Sequence, residues 1–360
     1  MRIAIDAREM AGRATGVGRY LAEILASWTS LPAAAAHQVV LCSPVPLDVE
    51  RLRGLDVRIA VAGGRGTSWE QLKLLRLVRK ARADVLFAPG YSAPVLAPVP
   101  TVLTVHDVSF AAHPEWFTPR EGTRRRLLTR ASARRAVRVI TVSDFSKREI
   151  VKHLRIDGTK VEVIYSGATA IARPGPREPL VLYVGSLFNR RHIPETIEGF
   201  ARLAREHGDV RLEIVGDNRT YPRIDVEQCA AASGAADRIR IRSYVSDDEL
   251  AGLYGRASAF VFLSEYEGFG MTPLDALAAG VPPVVLDTAV AREIYGPAAL
   301  FLDRPEPAAV HDALRRALFE AGERGRILEA APRQLERYSW QECGRRTLQV
   351  LLACASSPPA

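Results

Sequence analysis

The chain has 360 residues, a formal net charge of +8, 48% hydrophobic and 25% charged residues. That length exceeds one ordinary core and suits two domains, and the composition excludes a disordered, collagen-like or disulfide-dense protein. Cys42, Cys229, Cys343 and Cys354 form no C-x-x-C or Cys/His cluster, so neither a zinc site nor a disulfide framework is expected and a reducing cytoplasm fits best.

The N-terminus, Met-Arg-Ile-Ala-Ile-Asp, reads as a strand with a charge inside it rather than the apolar core of a signal peptide. Short Val/Ile-rich runs then alternate with longer helical patterns, which predicts parallel strands joined by helical crossovers. In the first half, strands are expected near 2–6, 38–43, 57–61, 84–87, 101–105, 138–142 and 161–164, with helices at 17–30, 68–82, 119–135 and 144–153. Residues 166–179 contain Gly167, Pro174, Gly175, Pro176 and Pro179, continue neither element type and read as an interdomain linker. The second half repeats the rhythm, with strands near 180–184, 211–215, 239–242, 259–262, 283–286 and 299–302 and helices at 193–206, 224–233, 247–255, 272–279 and 305–321. A last helix, 340–353, follows the second sheet and is compatible with either domain, and the tail Ser-Ser-Pro-Pro-Ala is expected to fray. No stretch approaches the roughly 20 apolar residues that span a bilayer, so the chain is not expected to be integral to a membrane.

Charge is unevenly spread. Residues 1–165 carry 26 Lys and Arg against 15 Asp and Glu, whereas the remainder carries 23 against 26. The densest run lies between Arg120 and Arg138, with arginines also at 124, 125, 126, 130, 134 and 135 and one acid, Glu121. It reads either as a solvated helix face or as a surface for an anionic membrane or phosphate-bearing acceptor, each nearby cation contributing about 1 kcal/mol. The run lacks interleaved aromatics and no nucleic-acid motif is present, so nucleic acid is not an expected partner.

Ligands of open α/β sheets bind beyond the carboxyl ends of the strands. Four such loops carry unusual residues. Gly16-Val17-Gly18-Arg19-Tyr20 opens a helix, where backbone amides and the helix terminus suit a phosphate, but it lacks the third glycine of the dinucleotide fingerprint and fits a plain helix start equally well. Thr104-Val105-His106-Asp107 ends an apolar strand; His106 is either a packed, hydrogen-bonded residue or a polar contact to substrate. In Val184-Gly185-Ser186-Leu187-Phe188-Asn189-Arg190-Arg191-His192, two guanidinium groups precede a helix that begins at Ile193 and Pro194, a place suited to a diphosphate. The fourth segment, Ser264 through Gly280, sets Glu267, Gly268, Phe269 and Gly270 in a loop and Asp275 one turn into a helix. Asp275 reads as the acid of a capping box on Thr272, a role compatible with ligand binding.

These segments carry a resemblance over nearly the whole chain. G-V-G-R-Y at 16–20, H-D at 106–107, V-S-x-x-S-K at 142–147, Y-V-G-S at 183–186, R-R-H at 190–192 and S-E-Y-E-G-F-G-M-T-P-L-D-A-L-A-A-G-V-P at 264–282 resemble the family-4 retaining glycosyltransferases of two-Rossmann GT-B architecture. The chain is also similar to bacterial mannosyltransferases of cell-surface polysaccharide synthesis. The resemblance implies two doubly wound α/β domains facing across a cleft. Residues 1–165 would bind the acceptor, 166–180 would link, 181–336 would bind a nucleotide sugar, and 337–360 would form a C-terminal helix and tail.

Carried over by position, Glu267 would hold the transferred sugar, Asp275 the ribose hydroxyls, and Arg190 and Arg191 the diphosphate. His106 would contact the sugar, and Gly16 and Val17 would approach the phosphate. Gly185, Gly268, Phe269 and Gly270 belong to the donor-binding loops, and Tyr244 and Val245 to the segment beside the base. Glu293 falls in a loop where the family places a further acid; His192 is given no role. The family usually has Glu where Asp275 stands and Lys where Arg191 stands. No D-x-D metal motif is present, and neither a metal nor a cofactor is expected beyond the substrate itself, a GDP- or UDP-linked sugar. The implied activity is hexosyl transfer, mannosyl favoured, with retention, to a glycan or lipid-linked acceptor in surface polysaccharide or lipopolysaccharide synthesis. The implied location is the cytoplasm, at the inner face of the membrane if the basic run docks there. A nucleotide-sugar epimerase, or a non-catalytic nucleotide-sugar-binding protein of the same fold, is the alternative.

Overall fold

A computed structural model describes residues 1–12, 15–169 and 175–355. Arg13 and Ala14 of the first loop, residues 170–174 of the linker and the tail 356–360 lie outside the described residues. The chain divides into two compact units, residues 1–115, 119–167 and 338–360 in the first, and 116–118 with 168–337 in the second.

In the first unit, β1 (Arg2–Asp6), β2 (Gln38–Ser43), β3 (Asp56–Val61), β4 (Val85–Ala88), β5 (Thr101–Thr104), β6 (Arg138–Thr141) and β7 (Val161–Val163) form a parallel sheet in the order β3-β2-β1-β4-β5-β6-β7. Ile3 stands opposite Val39 on one side and Val85 on the other. Both faces are covered, and Ile3, Ala4 and Ile5 are fully buried, which is why the parallel strands read as unbroken apolar runs. Strand order reverses between β1 and β4, and their carboxyl ends lead into the loops beginning at Ala7 and Pro89. The helix Gly16–Trp28 is started by Thr15, whose hydroxyl accepts from the Gly18 amide at 2.9 Å. It buries Tyr20, Leu21, Ile24, Leu25 and Trp28 at helical spacing. Gly18 is required by close approach, since a Cβ there would fall 2.2 Å from the Glu9 carbonyl oxygen.

The last helix, Trp340–Ala355, belongs to the first unit. Its buried face carries Trp340, Cys343, Thr347, Leu351 and Cys354. The Trp28 indole donates to the Gly344 carbonyl at 2.9 Å, and Arg346 pairs with Glu162 at 2.9 Å.

In the second unit, β8 (Leu180–Val184), β9 (Arg211–Val215), β10 (Ile239–Arg242), β11 (Ala259–Phe262), β12 (Pro283–Leu286) and β13 (Leu300–Leu302) form a parallel sheet in the order β10-β9-β8-β11-β12-β13. Order reverses here between β8 and β11, whose carboxyl ends release the Gly185 and Ser264 loops. Two doubly wound parallel α/β units are therefore present.

Three expectations need correction. The helix expected over 305–321 is Pro307–Phe319, and a further helix that was not expected, Ala321–Leu335, follows Glu320, whose backbone is extended. A further helix, Ala289–Tyr295, capped by the Thr288 hydroxyl, places Glu293 on a helix rather than in a loop. Trp116–Thr118, expected within the first domain, groups with the second unit, because Trp116 packs against Tyr266 and Arg190.

Candidate functional site

In the first unit the loop after β5 is tied down on every side. The His106 Nε2 lies 2.8 Å from the Pro89 carbonyl oxygen. A carbonyl only accepts, so Nε2 carries the proton and Nδ1 is left as an acceptor. Burial pushes the imidazole below its ordinary value, against smaller upward contributions from the Pro89 bond, Asp107 and Glu9, so the ring is neutral at neutral pH. Tyr20 meets it edge-on at 4.8 Å between centroids, which brings His106 beside the helix headed by Gly16 and Val17. Ser146 donates to the His106 carbonyl at 2.9 Å, and Ser143 caps the helix Asp144–Leu154; this is the work of the V-S-x-x-S-K segment. Asp107 follows His106 in this loop. Its carboxylate accepts from the Tyr91 hydroxyl at 2.6 Å and from the Ser109 amide at 2.8 Å.

In the second unit, loops 76 residues apart in sequence meet through side chains. Arg191 Nε and Nη2 both donate to one Glu267 oxygen, at 2.9 and 2.7 Å, and Nη1 donates to the Ser186 carbonyl at 2.6 Å. Ser264 donates to the same Glu267 oxygen at 2.8 Å. Burial works against the Arg191 charge, but the Glu267 carboxylate and the Tyr183 hydroxyl outweigh it and raise the guanidinium above its ordinary value. Arg191 is therefore paired with Glu267 and holds its carboxylate in place. Arg190 is different. Its Nε donates to the Tyr266 carbonyl at 3.2 Å, its guanidinium lies 4.3 Å from the Phe188 ring centroid, and among the described residues no carboxylate pairs with it.

Both arginines sit in a 3₁₀ turn, Asn189–Arg191, that ends at His192 with φ 51°. His192 has a partner that the sequence reading missed: its Nε2 lies 2.8 Å from a Glu265 oxygen, and Glu195 is 3.5 Å from Nδ1. Burial lowers its pKa, yet bonds to Glu195 and Glu265 prevail and raise it above 6.5.

Beyond Glu267, Phe269 is buried and Gly270 takes φ +91°, with its carbonyl accepting from the Tyr295 hydroxyl at 2.8 Å. A Cβ on Gly270 would fall 2.0 Å from that hydroxyl, so both its backbone angle and its neighbour demand glycine. The helix Met271–Ala278 starts from Gly270 with no side-chain cap, which removes the capping box on Thr272. Asp275 is fully buried and accepts from the Thr169 amide at 3.1 Å. Tyr244 and Val245 follow β10, Tyr244 exposed and Val245 buried, just before the helix Asp247–Arg256 capped by Ser246. Among the described residues no three His, Cys, Asp or Glu side chains gather as metal ligands.

The basic run forms the helix Pro119–Arg135, with Arg124, Arg125 and Arg126 exposed. Arg124 donates to the Thr67 hydroxyl at 2.9 Å and Arg125 pairs with Glu121 at 2.6 Å. Arg130 is pulled below its ordinary value, first by the neighbouring charge of Arg134.

Residues 14–169 match the model described as Glycosyltransferase Family 4, and residues 170–334 match that described as Glycosyl transferases group 1. The chain belongs to the family-4 glycosyltransferases. This glycosyltransferase is 26% identical over 264 residues to the O-antigen chain mannosyltransferase B of Escherichia coli, a match covering 69% of each chain. It is 27% identical over 215 residues to the O-antigen chain mannosyltransferase RfbU of Salmonella typhimurium, covering 59% of each. It shares its fold with Anabaena HepE in complex with UDP-glucose, at a TM-score of 0.78 and 18% identity, over 98% of this chain and 100% of that one.

Proposed function

We propose that this glycosyltransferase moves a hexosyl group, mannosyl in the first instance, from a nucleotide diphosphate sugar to a glycan or lipid-linked acceptor in surface polysaccharide synthesis. The observation that carries the reading is the division of labour at the carboxyl ends of β8 and β11. Arg191 spends its charge fixing Glu267, while Arg190 keeps its charge available beside it.

The sugar–phosphate bond breaks toward an oxocarbenium-like state as negative charge gathers on the departing diphosphate. Arg190 stabilises that charge, with help from amides at the start of the helix Met271–Ala278; one well-placed donor of this kind is worth about 3 to 4 kcal/mol, roughly 100- to 1000-fold in rate. Glu267, held by Arg191 and Ser264, faces the sugar. Gly185, Gly268, Phe269 and Gly270 shape the donor loops, with Asp275 toward the ribose and Tyr244 and Val245 toward the base. In the first unit the His106 Nδ1 accepts from a ligand hydroxyl, and Gly16 and Val17 present the helix start to phosphate. Retention and metal independence are part of this reading. The mannosyl preference draws on the names of the two O-antigen relatives; the donor class draws also on the UDP-glucose held by HepE.

The membrane is a proposed partner through the exposed arginines of Pro119–Arg135, with exposed Leu127 among them. No helix among the described residues is long and apolar enough to cross a membrane.

The test is release of nucleoside diphosphate and appearance of glycosylated product from GDP-mannose, UDP-glucose and dTDP-glucose, each with and without EDTA. Turnover that survives EDTA and falls at least about tenfold in Arg190→Ala supports the reading; undiminished turnover in that variant removes Arg190 from the chemistry.

A further inference from the structure

We infer that Trp116 is a positioning residue for Arg190: it fixes the direction in which that guanidinium meets a diphosphate. The inference rests on the proposed role of Arg190 in donor binding.

Trp116 lies far from the donor loops in sequence, between Pro114 and Pro119, yet Trp116–Thr118 belongs to the second unit. Its ring centroid is 5.5 Å from the Arg190 guanidinium carbon, which lies 4.3 Å from the Phe188 ring. Trp116 also meets Tyr266 edge-on at 6.3 Å with an interplanar angle of 71°, and the Tyr266 carbonyl accepts from Arg190 Nε at 3.2 Å. Two rings and one carbonyl therefore act on a single guanidinium.

The need for such a clamp follows from the neighbouring residue. Arg191 is locked by the Glu267 carboxylate. Arg190 has no carboxylate partner among the described residues, and a long side chain without an ionic anchor samples many rotamers. Aromatic faces attract a guanidinium without neutralising it. A carboxylate in the same place would cancel the charge that the leaving diphosphate requires. Aromatic contacts thus orient Arg190 while leaving its charge available.

Trp116 also supplies its own readout. Of the four tryptophans, Trp28, Trp69 and Trp340 are 0%, 2% and 6% exposed and belong to the first unit, whereas Trp116 is half-buried in the second. GDP and UDP are titrated in turn by calorimetry and by tryptophan fluorescence, with guanosine and uridine as phosphate-free controls.

Trp116→Ala and Trp116→Leu should each weaken diphosphate binding by about fivefold, the scale of one cation–π contact, and leave nucleoside binding unchanged. Trp116→Phe should restore most of the affinity while abolishing the fluorescence response. Arg190→Ala should weaken diphosphate binding, and Trp116→Ala/Arg190→Ala should be no weaker than Arg190→Ala alone, since the ring acts through the guanidinium.

Full affinity in both Trp116→Ala and Trp116→Leu, with Arg190→Ala impaired, overturns the inference and leaves the donor reading intact. Additive losses in the double variant overturn it too, as does Trp116→Leu binding as tightly as wild type, which would reduce the ring to bulk. An unimpaired Arg190→Ala, or wild type that binds neither diphosphate, defeats the donor reading beneath it.

Discussion

Arg190 and Arg191 are adjacent and chemically identical, yet the structure predicts unequal losses of stability on replacing them. Arg191→Met strips the Glu267 carboxylate of its cation where the two side chains retain only 11% and 19% of their exposure. Removing one partner of a fully buried pair costs about 3 to 5 kcal/mol. Partial access to water and the retained Ser264 hydroxyl on Glu267 reduce this to about 2 to 3 kcal/mol. Arg190→Met removes one 3.2 Å bond to a carbonyl and the charge beside two rings, while the thioether keeps apolar contact with those rings, and should cost about 1 to 1.5 kcal/mol. Urea unfolding followed by far-ultraviolet circular dichroism resolves the difference as a shift in midpoint at unchanged slope. Arg191→Met/Glu267→Leu, which removes both charges, should be more stable than Arg191→Met. Equal midpoints for the Arg190 and Arg191 variants, or a double variant no better than the single, would refute the assignment of Arg191 to Glu267.

Gly18→Ala should destabilise the first unit by about 1 to 3 kcal/mol, because its methyl group would press on the Glu9 carbonyl; an unchanged melting temperature would contradict the close approach. His192 has a folded pKa raised above 6.5, so its contacts with Glu265 and Glu195 contribute stability fully below pH 6.5 and lose it as pH rises through the higher folded value. The melting difference between wild type and His192→Asn, a residue that tolerates φ 51°, should therefore shrink from pH 5.5 to 8.5; a difference independent of pH would show that the pair is not charged. Replacing Arg124, Arg125 and Arg126 together by Ala should weaken binding to phosphatidylserine vesicles by about 100-fold at low salt, at about 1 kcal/mol per cation. Sedimentation with vesicles that is the same for both proteins would separate the basic helix from any lipid surface.

The central strands were legible because their burial is two-sided. Runs such as Val85–Ala88 and Ala259–Phe262, buried at every position, carry no alternation to misread, and the observed bounds lie within two residues of those expected. The missing helices had weak local signals. Ala289–Tyr295 is two turns long, and Ala321–Leu335 contains Gly322, Gly325 and Pro332, residues that read as breakers, with a buried face of only Ile327, Ala331 and Gln334.

At the candidate site, sequence spacing singled out Glu267, Arg190 and His106 from loops after strands, but partners are properties of the fold. The Arg191–Glu267 pair spans 76 residues, and the Asp275–Thr169 bond spans 106. Neither has a local trace. The capping box on Thr272 failed because Gly270, in a left-handed conformation, starts the helix one residue earlier. His192 did leave a signal, since a histidine before Ile193 and Pro194 must end the preceding turn, but its carboxylate partners were invisible without coordinates.

In the proposed reaction Arg190 meets the donor diphosphate while Glu267, anchored by Arg191, meets the sugar. A crystal structure with GDP-mannose or UDP-glucose bound tests it most directly. A diphosphate oxygen should lie within hydrogen-bonding distance of the Arg190 guanidinium and a sugar hydroxyl within reach of Glu267, with the Arg191–Glu267 pair intact. A nucleotide sugar bound with its diphosphate away from Arg190, or with Arg191 released from Glu267 to take the phosphate, would contradict it.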